Sequence, residues 1–307
     1  MPEVVEITLT SQYLSSILIG KSITGMKVNS GRYTHQKMKG SALINKNIPL
    51  KILSIDSKGK FMWFELQSVN DPSKRIYIMN TFGLTGMWSL KMNTPRITFN
   101  IADGNKSFDL YFTDHRNFGT IAITSKYSDV KSKLDKLAPD LLKTIFNEKT
   151  FQLWVDRFIE KSELRSNLPI IKILMEQENN KGIGSGLGNY LSVEILYRAK
   201  ISPHRTLISL SNQEIKKLAN TMRYVLKLCY MSNKTGYMET FIDYIDEHKK
   251  NVLKKMLPDY HSDIKIKENE TFEFLVYKKK KDKNNNEVKA DKIIKGRTTY
   301  WVPNVQK

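Results

Sequence analysis

The hydrophobic pattern of this chain changes character once, near residue 125, and that change limits the fold more than any other feature. From about residue 20 to 125, apolar residues come in short runs rich in aromatic and β-branched side chains. Examples are Lys60-Phe61-Met62-Trp63-Phe64-Glu65-Leu66, Arg75-Ile76-Tyr77-Ile78-Met79 and Ile97-Thr98-Phe99-Asn100-Ile101. Such runs read as strands, and Gly59, Gly83, Gly86, Gly104 and Gly119 punctuate them. Beyond 125 the spacing is helical, through Phe151–Val155, Ile170–Met175 and about Ser211 to Tyr230, where Ser211-Asn212-Gln213-Glu214 forms a capping box. Residues 1–20, with Val4, Ile7, Leu14 and Leu18 in one stripe, read as an amphipathic helix. Phe272–Tyr277 and Gly296–Val302 read as the two strands of one β-hairpin with a long charged tip.

The expected fold is therefore α+β and multidomain, an antiparallel β-sandwich opened by one helix and followed by a helical domain and a hairpin. The expected boundaries are 1–130, 131–268 and 269–307, with the polar, Lys-rich stretch Ser125–Pro139 as a hinge.

Charge narrows the partner. With 50 Lys+Arg against 31 Asp+Glu, the net charge is +19, which predicts affinity for a polyanion, nucleic acid first and an anionic membrane surface second. No apolar run approaches the ~18–20 residues needed to span a bilayer, and no basic-then-apolar leader opens the chain. The single cysteine, Cys229, fits a reducing compartment. An intracellular location is expected.

Two short motifs carry chemistry. The chain begins Met1-Pro2-Glu3-Val4-Val5-Glu6. Loss of Met1 would leave a secondary amine, which attacks an aldehyde-like carbon to give an iminium ion, an electron sink charged at every pH. The same residues also suit a plain helix start, because Pro fits the first turn and Glu suits the macrodipole. The second motif is Gly182-Ile183-Gly184-Ser185-Gly186-Leu187-Gly188-Asn189, lying between two helical segments. No strand precedes it and position 187 is Leu, so it fails the dinucleotide-binding pattern. Its backbone N–H groups and the following helix (Tyr190 to Arg198) can face an anion, or it can be a plain connector.

Further residues join these motifs. Gly186-Leu187-Gly188-Asn189-Tyr190-Leu191, then Glu194–Ala199 and Ile201-Ser202-Pro203, resemble the helix-two-turns-helix of the formamidopyrimidine-DNA glycosylase and endonuclease VIII family, whose members also begin Met-Pro-Glu. Gly59-Lys60-Phe61, Phe82–Gly86, Asp114–Gly119 and Gly296-Arg297-Thr298-Thr299 match in order across nearly the whole chain.

The resemblance implies a bifunctional DNA glycosylase and AP lyase of base excision repair. Pro2 would attack the sugar C1′, and β- then δ-elimination would leave a one-nucleotide gap. Glu3 would shuttle the proton, with Glu6 one helical turn later in support. Lys60 and Arg297 would hold the phosphates at the lesion, Asn189 another at the helix start, and Lys172 a further one. Leu84, Arg116 and Phe118 would fill the hole left by the expelled base. DNA would lie in the cleft between the β half and the helical half. The implied partner is damaged double-stranded DNA, with no membrane; the protein would be a monomer needing no cofactor and no metal, working with other base excision repair proteins in the nucleus or another DNA-containing compartment. The rival class is a non-catalytic DNA- or lesion-binding protein using the same helical module, which leaves Pro2, Glu3, Lys60 and Arg297 unexplained.

The departures from the family are specific. Its usual four-cysteine zinc finger is absent: Trp301-Val302-Pro303-Asn304-Val305-Gln306 has valine at both terminal cysteine positions, and residues 270–307 contain no Cys or His. This resembles the zincless finger of plant and fungal relatives, in which apolar packing of Trp301, Val302 and Val305 would replace the metal. Asn117 stands where many members have arginine, and Thr81 where many have histidine. The stretch between Gln177 and Gly186 is about four residues longer than usual. A long charged segment from Asn233 to Lys267, with Tyr237, Phe241 and Tyr244, is where lesion choice is expected to lie.

Overall fold

The computed structural model describes residues 2–232 and 258–307, so Tyr237, Phe241 and Tyr244 lie outside the described residues. The described chain forms two compact units. One holds Pro2 and Glu6–Asp135; the other holds Glu3–Val5, residues 136–232 and Pro258–Lys307.

The first unit is built on eight strands: β1 (Ser22–Val28), β2 (Leu50–Lys58), β3 (Phe61–Ser68), β4 (Arg75–Thr81), β5 (Gly86–Ser89), β6 (Ile97–Asp103), β7 (Lys106–Asp114) and β8 (Thr120–Thr124). They hydrogen-bond in the order β5-β7-β6-β1-β2-β3-β4-β8, every neighbouring pair antiparallel. The sheet turns back on itself as a sandwich. Trp88 on β5 meets Phe64 on β3 at 5.1 Å between ring centres, although the two strands stand far apart in that order. Its indole N–H donates to Asn80 Oδ1 on β4 at 3.1 Å, which satisfies the one polar atom of a fully buried Trp. Gly25 and Ser54 follow register shifts in β1 and β2, and such bulges bend a sheet.

Helix α1 (Val4–Leu18) departs from the amphipathic reading. Glu6, Thr8 and Thr10, outside the apolar stripe, are buried like Val4, Ile7 and Leu14, and so is Ser11 within it. Ser11 Oγ is satisfied locally, donating to the Thr8 carbonyl at 2.8 Å, whereas the buried Thr8 and Thr10 hydroxyls have no hydrogen-bond partner among the described residues. Pro2 precedes the helix rather than starting it. A short helix, α2 (Ser41–Asn47), contributes Ile44 to the sandwich core. The stretch expected as a hinge is largely a third helix, α3 (Tyr127–Lys136), with Val130 buried. Its surface is too polar to show an apolar stripe, so helical spacing was not visible there.

The second unit contains α4 (Glu148–Lys161), α5 (Glu163–Ser166), α6 (Ile170–Met175), α7 (Asn189–Ala199) and α8 (Asn212–Ser232). Two turns join α7 to α8. At the first, Lys200 adopts φ +62 and Ile201 N–H returns to the Leu196 carbonyl; at the second, Arg205 N–H bonds the Ser202 carbonyl. The capping box of α8 forms in both directions, Ser211 N–H to Glu214 Oε2 at 2.8 Å and Glu214 N–H to Ser211 Oγ at 3.3 Å.

The hairpin differs from expectation. Its strands are β9 (Lys289–Ile294) and β10 (Arg297–Trp301), joined by Lys295–Gly296 with Gly296 at φ +74. Phe272–Tyr277 is not a strand. The consecutive N–H groups of Leu275, Val276 and Tyr277 all point to the buried Glu194 carboxylate at 2.8–3.0 Å, whereas a strand sends them to alternate sides.

Polar clamps reinforce the apolar packing at the finger. Val302 is buried and Val305 half-buried. Beside them the buried Gln306 side chain accepts from Val302 N–H at 2.7 Å and donates to the Ile201 carbonyl at 2.9 Å. In the preceding loop, Asp282 accepts the N–H groups of Asn284 and Asn286 and the Tyr197 hydroxyl at 2.8–2.9 Å. Burial, followed by that bond to Asp282, pushes the Tyr197 hydroxyl up to about 12, so it stays a donor near neutrality. Both clamps end at or just beyond α7.

Candidate active site

Glu3 and the glycine loop, 185 residues apart, are one local structure. The fully buried Glu3 carboxylate accepts the backbone N–H groups of Gly188 at 2.5 Å, Tyr190 at 3.0 Å and Leu191 at 3.3 Å. These are first-turn donors of α7, which have no partner within their own helix, and the positive end of the helix favours a carboxylate there. One residue on, Val4 N–H donates to the Gly186 carbonyl at 2.9 Å. The fit explains two glycines of the motif. A Cβ on Gly188 would lie 2.3 Å from Glu3 Oε1, and one on Gly186, itself at φ +114, would lie 2.5 Å from the Val4 Cβ. Gln177 secures the loop from its other side, accepting from Gly186 N–H at 2.7 Å and donating to the Leu187 carbonyl at 3.0 Å.

The helix start expected to receive a phosphate thus holds the chain's own carboxylate at three of its N–H groups. Asn189 points its amide nitrogen to the Thr298 carbonyl at 2.9 Å, beside Arg297 in β10. Its buried Oδ1 has no hydrogen-bond partner among the described residues. The second N–H of the same amide nitrogen is the donor this side chain would offer a phosphate while keeping Thr298.

Tyr277 joins the same cluster. Burial raises its hydroxyl above the usual tyrosine range and the nearby Glu3 charge adds to this, while Asn189 and Arg297 pull it the other way. Its ring packs on Tyr300 at 5.5 Å. The sequence pattern puts Tyr277 at the end of a strand and gives it no role; the signal available is its position just before the lysine run. Glu194 was likewise passed over, though it holds the segment carrying Tyr277. Lys172 and Arg297 line one groove of this unit.

In the sandwich unit, Leu84, Arg116 and Phe118 lie on two loops packed together: a Cβ on Gly83 would meet the Phe118 carbonyl carbon and the Gly119 nitrogen at 2.5 Å. Asp114 organises them. It accepts Thr85 Oγ1 at 2.5 Å, Arg116 N–H at 3.3 Å and Gly119 N–H at 2.6 Å. Arg116 is exposed, Leu84 half-buried and Phe118 58% exposed. An aromatic side chain left in water on a braced loop is poor core material. Asn117 takes φ +55, a conformation that asparagine tolerates better than arginine. Lys60 follows Gly59, at φ +57, in the turn between β2 and β3 and is half-buried. Pro2 and Glu6 are buried.

The residues present do not suit the zinc of the four-cysteine finger, since the hairpin offers no Cys or His. Among the described residues, no three His, Cys, Asp or Glu side chains gather as a metal site, and no helix is long and apolar enough to cross a membrane.

Comparison with known proteins follows the same division. The formamidopyrimidine-DNA glycosylase N-terminal domain matches residues 1–121 and the C-terminal domain of the same enzymes matches 262–307, together more than half of the chain. Proteins named formamidopyrimidine-DNA glycosylase align from Acidothermus cellulolyticus (24% identical, 79% of this chain and 81% of that protein) and Pelobacter propionicus (27%, 74% and 78%). The Arabidopsis thaliana protein of that name is 24% identical over 74% of this chain and 57% of its own length. The fold also matches the Lactococcus lactis protein Fpg in a complex with DNA containing an oxidised pyrimidine, with a TM-score of 0.73, 19% identity and full coverage of both chains.

Proposed function

This chain belongs to the formamidopyrimidine-DNA glycosylase family, and on that premise we propose that it is a DNA glycosylase of base excision repair that also cleaves the strand at abasic sites. Its partner is damaged DNA, as in the complexes of its structural relatives.

The supporting observation is the anchoring of the N-terminus. Glu3 is fixed at the start of α7 by three hydrogen bonds, which leaves the adjoining Pro2 little freedom. Positioning of a nucleophile is worth several powers of ten in rate. In this reading Met1 is removed and the Pro2 nitrogen attacks C1′ of the damaged nucleotide. The bond from C1′ to the base breaks, the base leaves with a proton, and opening of the sugar at C1′–O4′ gives the iminium. The iminium acidifies the C2′ hydrogen; its loss expels the 3′ phosphate, and a second elimination expels the 5′ phosphate. Glu3 is the group placed to accept and return protons beside Pro2, with Glu6 in support. Lys60, Arg297, Asn189 and Lys172 bind backbone phosphates. Leu84, Arg116 and Phe118 occupy the gap in the duplex, Phe118 as a wedge and Arg116 toward the orphaned base. The protein acts as a monomer.

The test is incision of a duplex carrying one oxidised base. The Met1-processed protein is expected to give a one-nucleotide gap, and Pro2→Thr to keep salt-dependent binding while losing cleavage. Retained cleavage in Pro2→Thr would move the nucleophile elsewhere and overturn this reading.

A further inference from the structure

We propose that a basic groove in the helical unit is a second phosphate subsite for DNA, taking a backbone phosphate adjacent to the one assigned to Arg297; this rests on the glycosylase reading above. The groove, of about 480 Å³, is walled by Arg165 from α5, Lys172 from α6, Lys181 from the loop after α6 and Arg297 from β10. All four cations are half-buried. Neither Arg165 nor Lys172 has an ion-pair or hydrogen-bonding partner for its side chain among the described residues. Glu176 also lines the groove, and Lys181 pairs with Glu178 at 2.7 Å, so positive charge remains in excess. Like charges drawn partly out of water repel one another, and an anion seated among them relieves both costs.

The remaining wall identifies the anion's carrier. Leu168, Met175 and Ile294 give the groove an apolar side, which suits the face of a deoxyribose next to its phosphate.

This subsite belongs to the chain's own departure from its family. Lys181 sits in the stretch between Gln177 and Gly186 that runs about four residues beyond the usual pattern. That stretch is folded: Lys181 and Gly182 N–H groups bond the Glu178 carbonyl at 2.9 and 3.0 Å, and Asn179 N–H bonds the Lys136 carbonyl at 2.9 Å. Glu178 also bridges to Leu137. The added residues therefore hold Lys181 as a fixed wall of the groove that Arg297 lines.

The experiment uses the full chain and the double variant Arg165→Ala/Lys181→Ala, with binding to an abasic-site duplex measured against salt. The slope of log affinity on log salt is expected to fall by about 0.9, and affinity at 0.1 M salt to fall about 5–10-fold, as for one lost phosphate contact. Arg165→Lys/Lys181→Arg is expected to restore both, which separates charge from folding. Duplexes with single methylphosphonates should show one position that weakens wild-type binding and has no effect in the double variant. An unchanged slope, or no position that loses its effect, overturns the subsite. Borohydride trapping at saturating protein reads the chemistry separately. If the wild type traps while the slope is unchanged, the subsite alone falls; if neither protein traps, the glycosylase reading falls and the slope still decides the groove.

Discussion

Both units use a buried carboxylate to hold loop backbone, and they differ in what the held backbone presents. In the sandwich, Asp114 braces a loop whose Arg116 and Phe118 side chains stand in water. In the helical unit, Glu3 and Glu194 are fully buried and each accepts three backbone N–H groups. In the proposed function the difference separates two tasks. Groups that enter a base stack must wait exposed until DNA arrives. Groups that align a nucleophile and grip the adjacent phosphates benefit from being set in advance, at the cost of burying charge.

The comparison breaks first, if it is wrong, at the carboxylates. Glu194→Ala strands three N–H groups and is expected to destabilise the protein by about 3–5 kcal/mol. Asp114→Ala strands the N–H of Gly119, while Arg116 N–H keeps Thr85 Oγ1 at 3.0 Å, and should cost about 1–2 kcal/mol. Urea unfolding of both variants measures the gap, and equal losses would remove the distinction.

Next in size is Gly188→Ala, whose new Cβ must displace Glu3. Abasic-site cleavage should fall about 100-fold, the order expected for a catalytic group moved by an ångström, with far less change in binding.

Acid should then distinguish the units. Burial, aided by Arg223 and Lys227, lowers the His261 pKa from 6.5 to about 4, against the opposing pull of the Leu141 carbonyl and Asp263. The folded state thus disfavours the proton. Its stabilising contribution is complete above pH 6.5 and is lost as pH falls toward 4, by about 2–3 kcal/mol. Hydrogen exchange at pH 5 should show α8 opening before β3, and His261→Gln should flatten the dependence.

The smallest effect on stability is expected at Phe118→Ala, within about 0.5 kcal/mol because the ring is exposed. Incision at a base-paired lesion should nevertheless drop, while cleavage of a single-stranded abasic site should not. Equal loss on both substrates would contradict a wedging role.

The same contrast explains what could be read in advance. Strands β3, β4 and β6 and the α8 capping box were legible because their signals are local: alternation, aromatic content and a four-residue motif. The roles proposed for Leu84, Arg116 and Phe118 come only from the resemblance, since these residues carry no pattern of their own. The Glu3–α7 contact was illegible because its partners are 185 residues apart and each has a sufficient local reading, as a helix start and as a connector. Phe272–Tyr277 was misread because strand-like side chains there sit on backbone committed to Glu194. In the finger, a buried Gln306 looks like any C-terminal polar residue until its two bonds are seen.

The central claim is that this anchored N-terminus delivers the nucleophile. Borohydride trapping of the Met1-processed protein on an abasic-site duplex, with mass mapping of the cross-linked peptide, tests it most directly. The account predicts one covalent adduct on the Pro2 nitrogen. An adduct on Lys60 or any other residue, or none at all, would contradict it.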